Sequence, residues 1–494
     1  MGIREQDEIN SRQNKFSKAS KLGPSYQAVF NKEFKVSELL DTASKAKLPE
    51  LTDDIKISGK QLSCAGRLMT LRPHGKLVFA HIQDQSGKMQ IAFTASSCSQ
   101  KVWQLANLLD IGDIIGVQGM LVKTKRGEVT LLCSELELLA KALKPLPEKY
   151  HGLKDVETRL RQRYLDLMVN PEVRELFVKK SLFWQSVREF LTTAGFMEVD
   201  TPALEAVAGG ADANPFRTHH DKLDQDFYLR ISLELPLKKL LVGGFEKVFE
   251  IGKVFRNEGI DTEHLQDYDM CEFYWAYADY NMLMEFTQEL YQEIVKKVTG
   301  GLKTTYQGKT IDWGGKWPKK DYFELIKEHT GTDLSSIKVP ELKKLLDKHN
   351  VRYEPNFGLG RLIDLYWKKL VRPKVMGPLF VINHPVEVSP LAKRDSKNPE
   401  RVQRMQIIVA GSELGNGFSE LNDPVDQRAR FEEQAKLREA GDSEAMMLDE
   451  DFITALEYGM PPAAGFGLSE RLFAFIMDKS IRETVLFPPM KFKS

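Results

Sequence analysis

Between about residues 60 and 140 the chain changes from a polar pattern to five short β-favouring runs, and the order of these runs constrains the fold more than any other feature. The first three are LSCAGRLMTL, KLVFAHIQD and KMQIAFT. The helical pattern SQKVWQLANLL follows, and then the runs IIGVQGMLVKT and EVTLLCSELELL. Five strands with one helix after the third is the order of a small OB-type barrel, and an ordinary β core is the alternative.

The charge of this part of the chain permits a polyanionic partner. The whole chain has 70 Lys and Arg against 70 Asp and Glu. Residues 1–150 contain 22 basic and 16 acidic residues, and the remainder has the matching acidic excess. OB-type barrels often bind single-stranded nucleic acid by stacking bases on aromatic rings beside a basic groove. Differences of this size also occur on ordinary enzymes, so charge alone does not decide the partner.

A second, larger α+β region follows. The run Lys144-Pro145-Leu146-Pro147 is typical of a linker. A helix is predicted from Asn170-Pro171 to just before Gly195, and KVFEIGKVF, MCEFYWAY and PLFVINHP read as strands. The predicted segments are a helical extension at 1–55, an OB-fold barrel at 56–143, a linker at 144–155, and an α+β domain at 156–494 with a helical insertion at about 300–355.

The sequence favours a cytoplasmic protein without membrane association. No segment approaches the ~20 consecutive apolar residues of a membrane helix, and the N-terminus lacks an apolar signal core. The four cysteines have no metal-binding or disulfide-framework spacing: Cys64, Cys98, Cys133 and Cys271. A reducing compartment suits such unpaired cysteines.

The stretch VFRNEGIDTEHLQDYDMCEFYWAY combines a strand end, a polar loop and a returning strand. Arg256 and Glu258 are two residues apart, which predicts that both project from one strand face. The planar guanidinium group of an arginine can form two hydrogen bonds with a phosphate or carboxylate. His264 adds a candidate cation and Tyr268 a stacking ring. A surface hairpin with solvated charges is the alternative.

Three further stretches contain candidate residues. In ELGNGFSELNDP, Glu413 and Glu420 are oxygen ligands or cation partners, and Asn416 offers an amide; a turning acidic loop is the alternative. In GMPPAAGFGLSERLFAF, glycines permit close approach of a ligand and Arg471 begins a helix, although a plain strand–helix turn has the same pattern. GFMEVDTPAL joins a helix end to a short strand, as common packing junctions do.

Together, in order and spacing, the four stretches resemble the three signature motifs of class II aminoacyl-tRNA synthetases plus the amino-acid loop of the lysine enzymes. The resemblance to lysyl-tRNA synthetases spans nearly the whole chain and includes GGADANPFRTHH, FRNEGI, HPVEVSPLAKR, GNGFSELNDP and ALEYGMPP. It implies an OB-fold barrel that binds the anticodon, followed by a catalytic domain built on an antiparallel sheet flanked by helices.

The resemblance implies a reaction with two steps. ATP activates L-lysine to lysyl-adenylate with release of pyrophosphate, and the lysyl group then passes to the 3′ end of tRNA(Lys). The first step needs no general base, because a carboxylate is already ionised at neutral pH. The implied catalytic residues are Arg256 and Arg471, and the implied ATP-binding residues are Arg256, Glu258, His264, Tyr268, Glu413 and Arg471.

The other implied site residues bind lysine and the anticodon. The ε-ammonium group is assigned to Glu420, Tyr274 and Glu272, and the α-amino group to Glu234 and Gly210. Asn416 and Arg256 match contacts to the lysine carboxylate, and Phe418 matches a pocket wall. The anticodon residues in the barrel are Phe79, Gln90 and Glu135.

Some positions depart from the family pattern. Glu263 and Leu265 stand where the family has an Arg and an Asn around the loop histidine. The first Mg²⁺ glutamate of the family falls on Gln406, which leaves Glu413 as the matching charged ligand. The third motif, GFGLSER, has Ser469 and is one residue shorter before its arginine, so the backbone must adjust to aim Arg471.

The resemblance also implies a homodimer through the helix and strand around Gly195–Pro202. Two other functions remain as alternatives. One is a lysine-adenylating paralogue that modifies a protein, although such relatives typically lack the OB module. The other is a non-catalytic RNA-binding derivative, which Arg256, Glu258, Glu413 and Arg471 argue against.

Overall fold

The computed structural model of the chain describes residues 3–52, 55–147, 153–259 and 264–491. The backbone forms two compact units, residues 1–153 and 154–494. The predicted linker contains residues 148–152, which lie outside the described residues.

The N-terminal unit contains a closed barrel of five strands. Its helices and strands are α1 (Ile3–Leu22), α2 (Val36–Lys45), β1 (Leu62–His74), β2 (Leu77–Gln83), β3 (Lys88–Thr94), α3 (Gln100–Ala106), β4 (Ile114–Lys123) and β5 (Val129–Ala140). The order around the barrel is β1-β2-β3-β5-β4, in which β3 and β5 are parallel and the other pairs are antiparallel. The predicted OB-fold barrel, with one helix after its third strand, is therefore confirmed.

Alternation along the strands separates the barrel's core from its outer face. Val78, Ala80 and Ile82 of β2 point into the core, together with Ile91 and Phe93 of β3. The residues between them lie on the outside, because successive side chains of a strand point to opposite faces. The N-terminal helix α1 is joined to the barrel unit by the Arg12 guanidinium, whose Nη1 donates to the carbonyls of Ile111 (2.9 Å) and Ala142 (3.0 Å).

The C-terminal unit is built on an eight-stranded sheet. Its first elements are α4 (Val156–Arg161), α5 (Arg163–Val169), α6 (Pro171–Thr193), β6 (Met197–Glu198), β7 (Leu204–Glu205), β8 (Arg217–His220), β9 (Gln225–Leu229), α7 (Glu234–Val242), β10 (Lys247–Phe255), β11 (Asp267–Ala276), α8 (Tyr280–Thr299), β12 (Lys303–Tyr306), β13 (Lys309–Asp312), β14 (Lys319–Asp321) and α9 (Tyr322–Thr330). The remaining elements are α10 (Val339–Lys348), α11 (Leu359–Tyr366), β15 (Leu379–Ile382), β16 (Arg404–Val409), β17 (Ser412–Ser419), α12 (Pro424–Glu439), α13 (Glu450–Glu457), β18 (Ala463–Ser469) and α14 (Arg471–Ile476).

The strand order of the large sheet is β14-β15-β16-β17-β18-β11-β10-β6. Its six central strands are antiparallel, and the two edge strands, β14 and β6, each run parallel to their neighbour. Smaller sheets are formed by β12-β13 and by β7-β9-β8. This arrangement is the predicted mainly antiparallel sheet flanked by helices.

Helices α6 and α8 belong to a large apolar core with one face of the sheet. Phe183 of α6 and Leu290 of α8 share this core with Phe249, Phe273 and Phe466 of the central strands. Helix α6 begins at Pro171, in a first-turn position where proline needs no hydrogen-bond donor. Because successive side chains of a strand point to opposite faces, the positions between these apolar residues point to the other face of the sheet, where the polar residues lie.

The predicted helical insertion at 300–355 is only partly helical. It contains α9 and α10, but also the hairpin β12-β13 and the edge strand β14. The register of β14 with β15 pairs Lys320 with Val381. The three residues of β14, Lys-Lys-Asp, carry no apolar alternation, so the sequence offers no strand signal there.

Candidate active site

The polar face of the large sheet contains a row of register partners from four adjacent strands. Glu272 of β11 pairs with Gly467 of β18, Gly467 pairs with Asn416 of β17, and Asn416 pairs with Gln406 of β16. Partners directly opposite each other share a sheet face. Two segments distant in sequence, β11 and the pair β16–β17, therefore contribute polar side chains to one strip of the sheet, and Gly467 of β18 lies between them.

Glu272 is held in one orientation by three donors. Its Oε1 accepts from Ser232 Oγ (2.7 Å) and from the Leu233 backbone N–H (2.9 Å), and its Oε2 accepts from the Tyr274 hydroxyl (2.9 Å). Burial raises the pKa of this carboxyl, and the three hydrogen bonds oppose the rise. The site therefore contains a rigid, desolvated acid at its centre.

Two more carboxylates meet at the side chain of Lys238, which is fully buried. Its Nζ lies 2.5 Å from Glu234 Oε1, one helical turn earlier, and forms a second ion pair with Glu420 Oε2. Burial raises the pKa of Glu234 to about 7, against the effect of the Lys238 charge. Burial likewise raises the pKa of Glu420. These groups form a buried ionic cluster beside Glu272.

Two glycines allow the backbone to approach these acids closely. A Cβ atom on Gly465 would lie 2.3 Å from the Tyr274 ring and 2.4 Å from Glu420 Oε1. Gly210 has a positive φ of 83°, and a Cβ there would lie 2.9 Å from Ser232 and 3.0 Å from the Glu234 side chain. Both positions therefore need glycine for steric reasons.

Asn416 is oriented by Arg404. The Arg404 Nε donates to Asn416 Oδ1 at 2.7 Å, while its Nη1 donates to the Val388 carbonyl at 2.6 Å. With its oxygen engaged, the amide of Asn416 presents its NH₂ group as donor. Phe418, two residues along β17, lies beside Lys238, whose Nζ is 5.4 Å from the ring centroid.

The stretch VFRNEGIDTEHLQDYDMCEFYWAY, which resembles the second signature motif, differs from the prediction in one respect. Strand β10 ends at Phe255, so Arg256 and Glu258 do not alternate along a strand. The Arg256 N–H still pairs with the Gln266 carbonyl (2.7 Å), but the Glu258 N–H turns back to the Arg256 carbonyl (2.9 Å). This tight turn ends the ladder and redirects the chain.

The Arg256 guanidinium lies over the ring of Tyr268, 5.6 Å from its centroid, and its Nε donates to the Ile231 carbonyl at 3.2 Å. The exposed His264 lies at the end of the same loop, and Glu263 lies outside the described residues. Leu265 is buried in an apolar cluster with Ala474 of α14. Its side chain therefore packs the loop against the third motif.

The third motif brings Arg471 close to Glu413. Arg471 follows β18, and its Nη1 donates to the Glu413 carbonyl at 3.4 Å. The Glu413 carboxylate lies 3.7 Å from Arg372. Although the motif is short, Arg471 is also close enough to Tyr268 for its charge to influence the pKa of that phenol, which burial raises.

The two predicted metal ligands lie on adjacent strands. Gln406 is buried and its Oε1 is 3.1 Å from His384 Nε2, whereas Glu413 is half-buried. Within the described residues no group of three or more His, Cys, Asp or Glu side chains could hold a metal ion. One carboxylate and one amide oxygen suit Mg²⁺ when substrate phosphates supply further ligands.

The three predicted anticodon residues all lie outside the barrel's core. Phe79 is half-buried and pairs with Ala92 of β3, and Glu135 of β5 is exposed. Gln90 is nearly buried: its Nε2 donates to Glu128 (2.8 Å), and its Oε1 accepts from Thr130 Oγ1 (2.7 Å). These two contacts fix the orientation of the Gln90 amide.

Sequence reasoning missed four residues that shape the site: Ser232, Lys238, His384 and Arg404. Lys238 had a usable signal, because it lies four residues after Glu234, on the same face of the predicted helix. The other three are common polar residues whose partners come from other strands, and their local sequence gives no such signal.

Comparison with known families agrees with this architecture. The model of the class II tRNA synthetases (D, K and N) matches residues 155–491, and that of the OB-fold nucleic acid binding domain matches residues 62–139. The chain therefore belongs to the class II tRNA synthetases.

Relatives that match nearly the whole chain indicate which group of this class the chain belongs to. The chain is 47% identical over 487 residues to the lysine–tRNA ligase of Carboxydothermus hydrogenoformans, covering 98% of both chains. It is 48% identical to the lysine–tRNA ligase of Thermoanaerobacter pseudethanolicus, covering 90% of this chain and 91% of the relative. Within its class, the chain belongs to the lysine–tRNA ligases. Among the described residues, no helix is long and apolar enough to cross a membrane.

Proposed function

We propose that this lysine–tRNA ligase uses the polar face of its large sheet to convert L-lysine and ATP to lysyl-adenylate and then to load tRNA(Lys) at its 3′ end. The observation that carries the proposal is the set of three buried carboxylates on that face, Glu234, Glu272 and Glu420. Buried charges need compensating partners, and a substrate with two ammonium groups supplies them.

Each part of lysine has a matching group. Glu420, Tyr274 and Glu272 receive the ε-ammonium, and Glu234 beside Gly210 receives the α-amino group. The free NH₂ of Asn416 and the guanidinium of Arg256 hold the substrate carboxylate, and Phe418 forms a wall along the aliphatic chain. A neutral analogue would leave a carboxylate unpaired in a buried site, so rejection should be strong.

The first chemical step joins two anionic groups. A carboxylate oxygen of lysine attacks the α-phosphorus of ATP, a new P–O bond forms, and the bond to the bridging oxygen of the β-phosphate breaks to release pyrophosphate. Arg256 offsets the charge between carboxylate and α-phosphate, as a fixed cation can in a desolvated site. Glu258 and Tyr268 bind adenine, and His264 and Arg471 bind the phosphates.

Mg²⁺ fits the donors available. Glu413 would hold it with a carboxylate oxygen, and Gln406 with an amide oxygen, while bound metal would supply charge neutralisation to the triphosphate. Transfer then follows when the terminal ribose hydroxyl of the tRNA attacks the lysyl carbonyl and AMP leaves.

The proposal extends to the partners of the enzyme. Phe79, Gln90 and Glu135 contact the anticodon through stacking and base-edge hydrogen bonds. Two copies associate through the region Gly195–Pro202, and the enzyme works in the cytoplasm.

Lysine-dependent ATP–pyrophosphate exchange, followed by loading of tRNA, tests the proposal. Both activities are expected in the wild-type protein. Arg256→Met should abolish exchange, whereas Arg428→Met, which removes a surface partner of Glu450, should leave it unchanged. Exchange without loading would favour the protein-modifying paralogue, and loss of both in the wild type would favour the RNA-binding derivative.

A further inference from the structure

Lys238 has no part in the proposed contacts to lysine, yet it lies at their centre. Its ammonium group is completely buried and joins Glu234 to Glu420, the two acids assigned to the opposite ammonium groups of the substrate. The rings of Phe418 and Phe452 lie 5.4 and 5.8 Å from its Nζ. A cation in this position acts on both ends of the lysine pocket.

Each carboxylate of the pair keeps an oxygen that Lys238 does not use. The ammonium group contacts Oε1 of Glu234 and Oε2 of Glu420. Oε1 of Glu420 is buried and has no hydrogen-bond partner among the described residues. It packs against Gly465 beside the Tyr274 ring, where a Cβ atom on residue 465 would lie 2.4 Å from it. A buried acceptor that still needs a donor suits an ammonium group.

The charges facing Lys238 come from four elements. Glu234 lies on its own helix, Glu420 follows β17, Glu272 and Tyr274 lie on β11, and Arg404 on β16 acts on Glu234 from a distance. With all three acids ionised, Lys238 reduces their combined charge to minus two. That value balances the two ammonium groups of a lysine substrate.

We propose that Lys238 is a positioning residue, which keeps Glu234 and Glu420 ionised and correctly aimed before lysine binds. This inference rests on the proposed function. Without Lys238, two buried acids would lie next to Glu272 with no cation in contact, and at least one would take up a proton. A protonated acid binds an ammonium group poorly, so lysine binding would then require a higher pH.

The pH profile of kcat/KM for lysine in the exchange reaction tests the inference. Lys238→Met should move the acidic limb upward by at least about one pH unit, while KM for ATP changes less than about twofold. Lys238→Arg retains the charge and should return the limb toward its wild-type position. Lys239→Met is the matched control, because Lys239 contacts Asp451 at the surface. If the acidic limb of the kcat/KM profile of Lys238→Met lies at the same pH as that of the wild type, the inference is overturned.

Proton release by the wild-type protein provides a test that needs no variant. Calorimetry of lysine binding in two buffers of different ionisation enthalpy counts the protons released. At pH 8 we expect fewer than about 0.3 proton per site, because the inference requires Lys238 to keep both acids ionised against the rise in pKa that burial causes. Release of about one proton at pH 8 would show that an acid was protonated despite Lys238, and would overturn the inference. Failure of the proposed function is distinct, since lysine would then not bind at all.

Discussion

His384 Nε2 donates a hydrogen bond to Gln406 Oε1 across 3.1 Å, and both side chains are buried. Because a carbonyl oxygen can only accept, the ring hydrogen lies on Nε2 in this contact. The amide oxygen that Gln406 would offer to Mg²⁺ therefore already has a donor. It also brings no negative charge, so we expect Glu413 and the ATP phosphates to provide most of the attraction for Mg²⁺.

Gln406→Glu should strengthen metal binding in the exchange reaction. We expect the Mg²⁺ concentration for half-maximal adenylation to fall about tenfold, which corresponds to ~1.4 kcal/mol from one added charge near the ion. The lysine requirement should change little. Gln307→Glu, in the exposed turn between β12 and β13, is the control for charge alone. Identical Mg²⁺ titrations of wild type and Gln406→Glu would refute the hypothesis that Gln406 weakens the binding of Mg²⁺.

Glu420→Gln should impair recognition of lysine much more than that of ATP. Removing one carboxylate from a desolvated ammonium group should cost about 3–5 kcal/mol in kcat/KM for lysine. KM for ATP should stay within about twofold, since Glu420 is assigned to the lysine ammonium group and not to ATP. Steady-state exchange kinetics with each substrate varied gives both values. Unchanged kinetics would assign the charge to Glu272 instead.

The sequence predicts features that depend on local patterns. The barrel strands show alternating apolar residues, and β10 coincides with the run KVFEIGKVF. The family motifs also place Glu272 and Asn416 in one site, and the structure shows them on strands either side of β18.

Features that depend on long-range packing are not predictable in this way. The contact of Lys238 with Glu420 joins a helix to a residue after a distant strand, and neither local sequence specifies it. The alternation assigned to Arg256 and Glu258 was wrong because a tight backbone turn, invisible as a residue pattern, ends β10. The edge strand β14 is formed by its partner β15 and not by its own charged residues.

The free energy of unfolding should depend on pH because of the buried carboxyl group of Glu205. Burial raises the pKa of its carboxyl from an ordinary 4.5 to about 8, and its Oε2 has no hydrogen-bond partner in the described chain. The unfolded chain ionises this group more readily than the folded one, so its contribution to stability is lost as the pH rises from about 4.5 to about 8. Above that range the loss is complete.

Glu205→Gln removes this ionisation, so the variant should gain in Tm relative to wild type as the pH rises from 5 to 8.5. Thermal denaturation at several pH values measures the difference. A Tm difference that stays constant over this range would contradict the raised pKa. Glu457→Gln, at an exposed position at the end of α13, controls for the loss of a negative charge.

Phe79→Ala should weaken tRNA loading without affecting amino-acid activation. Loss of a stacking ring costs about 1–3 kcal/mol per base, so KM for tRNA(Lys) should rise about tenfold or more. Exchange measured without tRNA should be unchanged, which serves as the internal control for folding of the catalytic unit. An unaltered KM for tRNA would place the anticodon away from this face of the barrel.

Two chains are expected to associate through α6 and β6. Val178 and Leu182 are four residues apart on α6 and expose 65% and 36% of their surfaces, and Met197 on the edge strand β6 exposes 44%. Residues four apart lie on one helix face, so α6 presents an apolar surface next to the predicted interface. A stable dimer needs about 800 Å² from each partner, and we expect α6 and β6 to provide its apolar centre. Sedimentation equilibrium at micromolar concentration should give about twice the chain mass of 56.4 kDa.

Val178→Asp combined with Leu182→Asp should give the single-chain mass, because the new carboxylates would be desolvated at the interface. Val29→Asp, at an apolar residue of the N-terminal unit that is 79% exposed, should leave the dimer intact. A wild-type protein that sediments as a fully active monomer would disprove the interface.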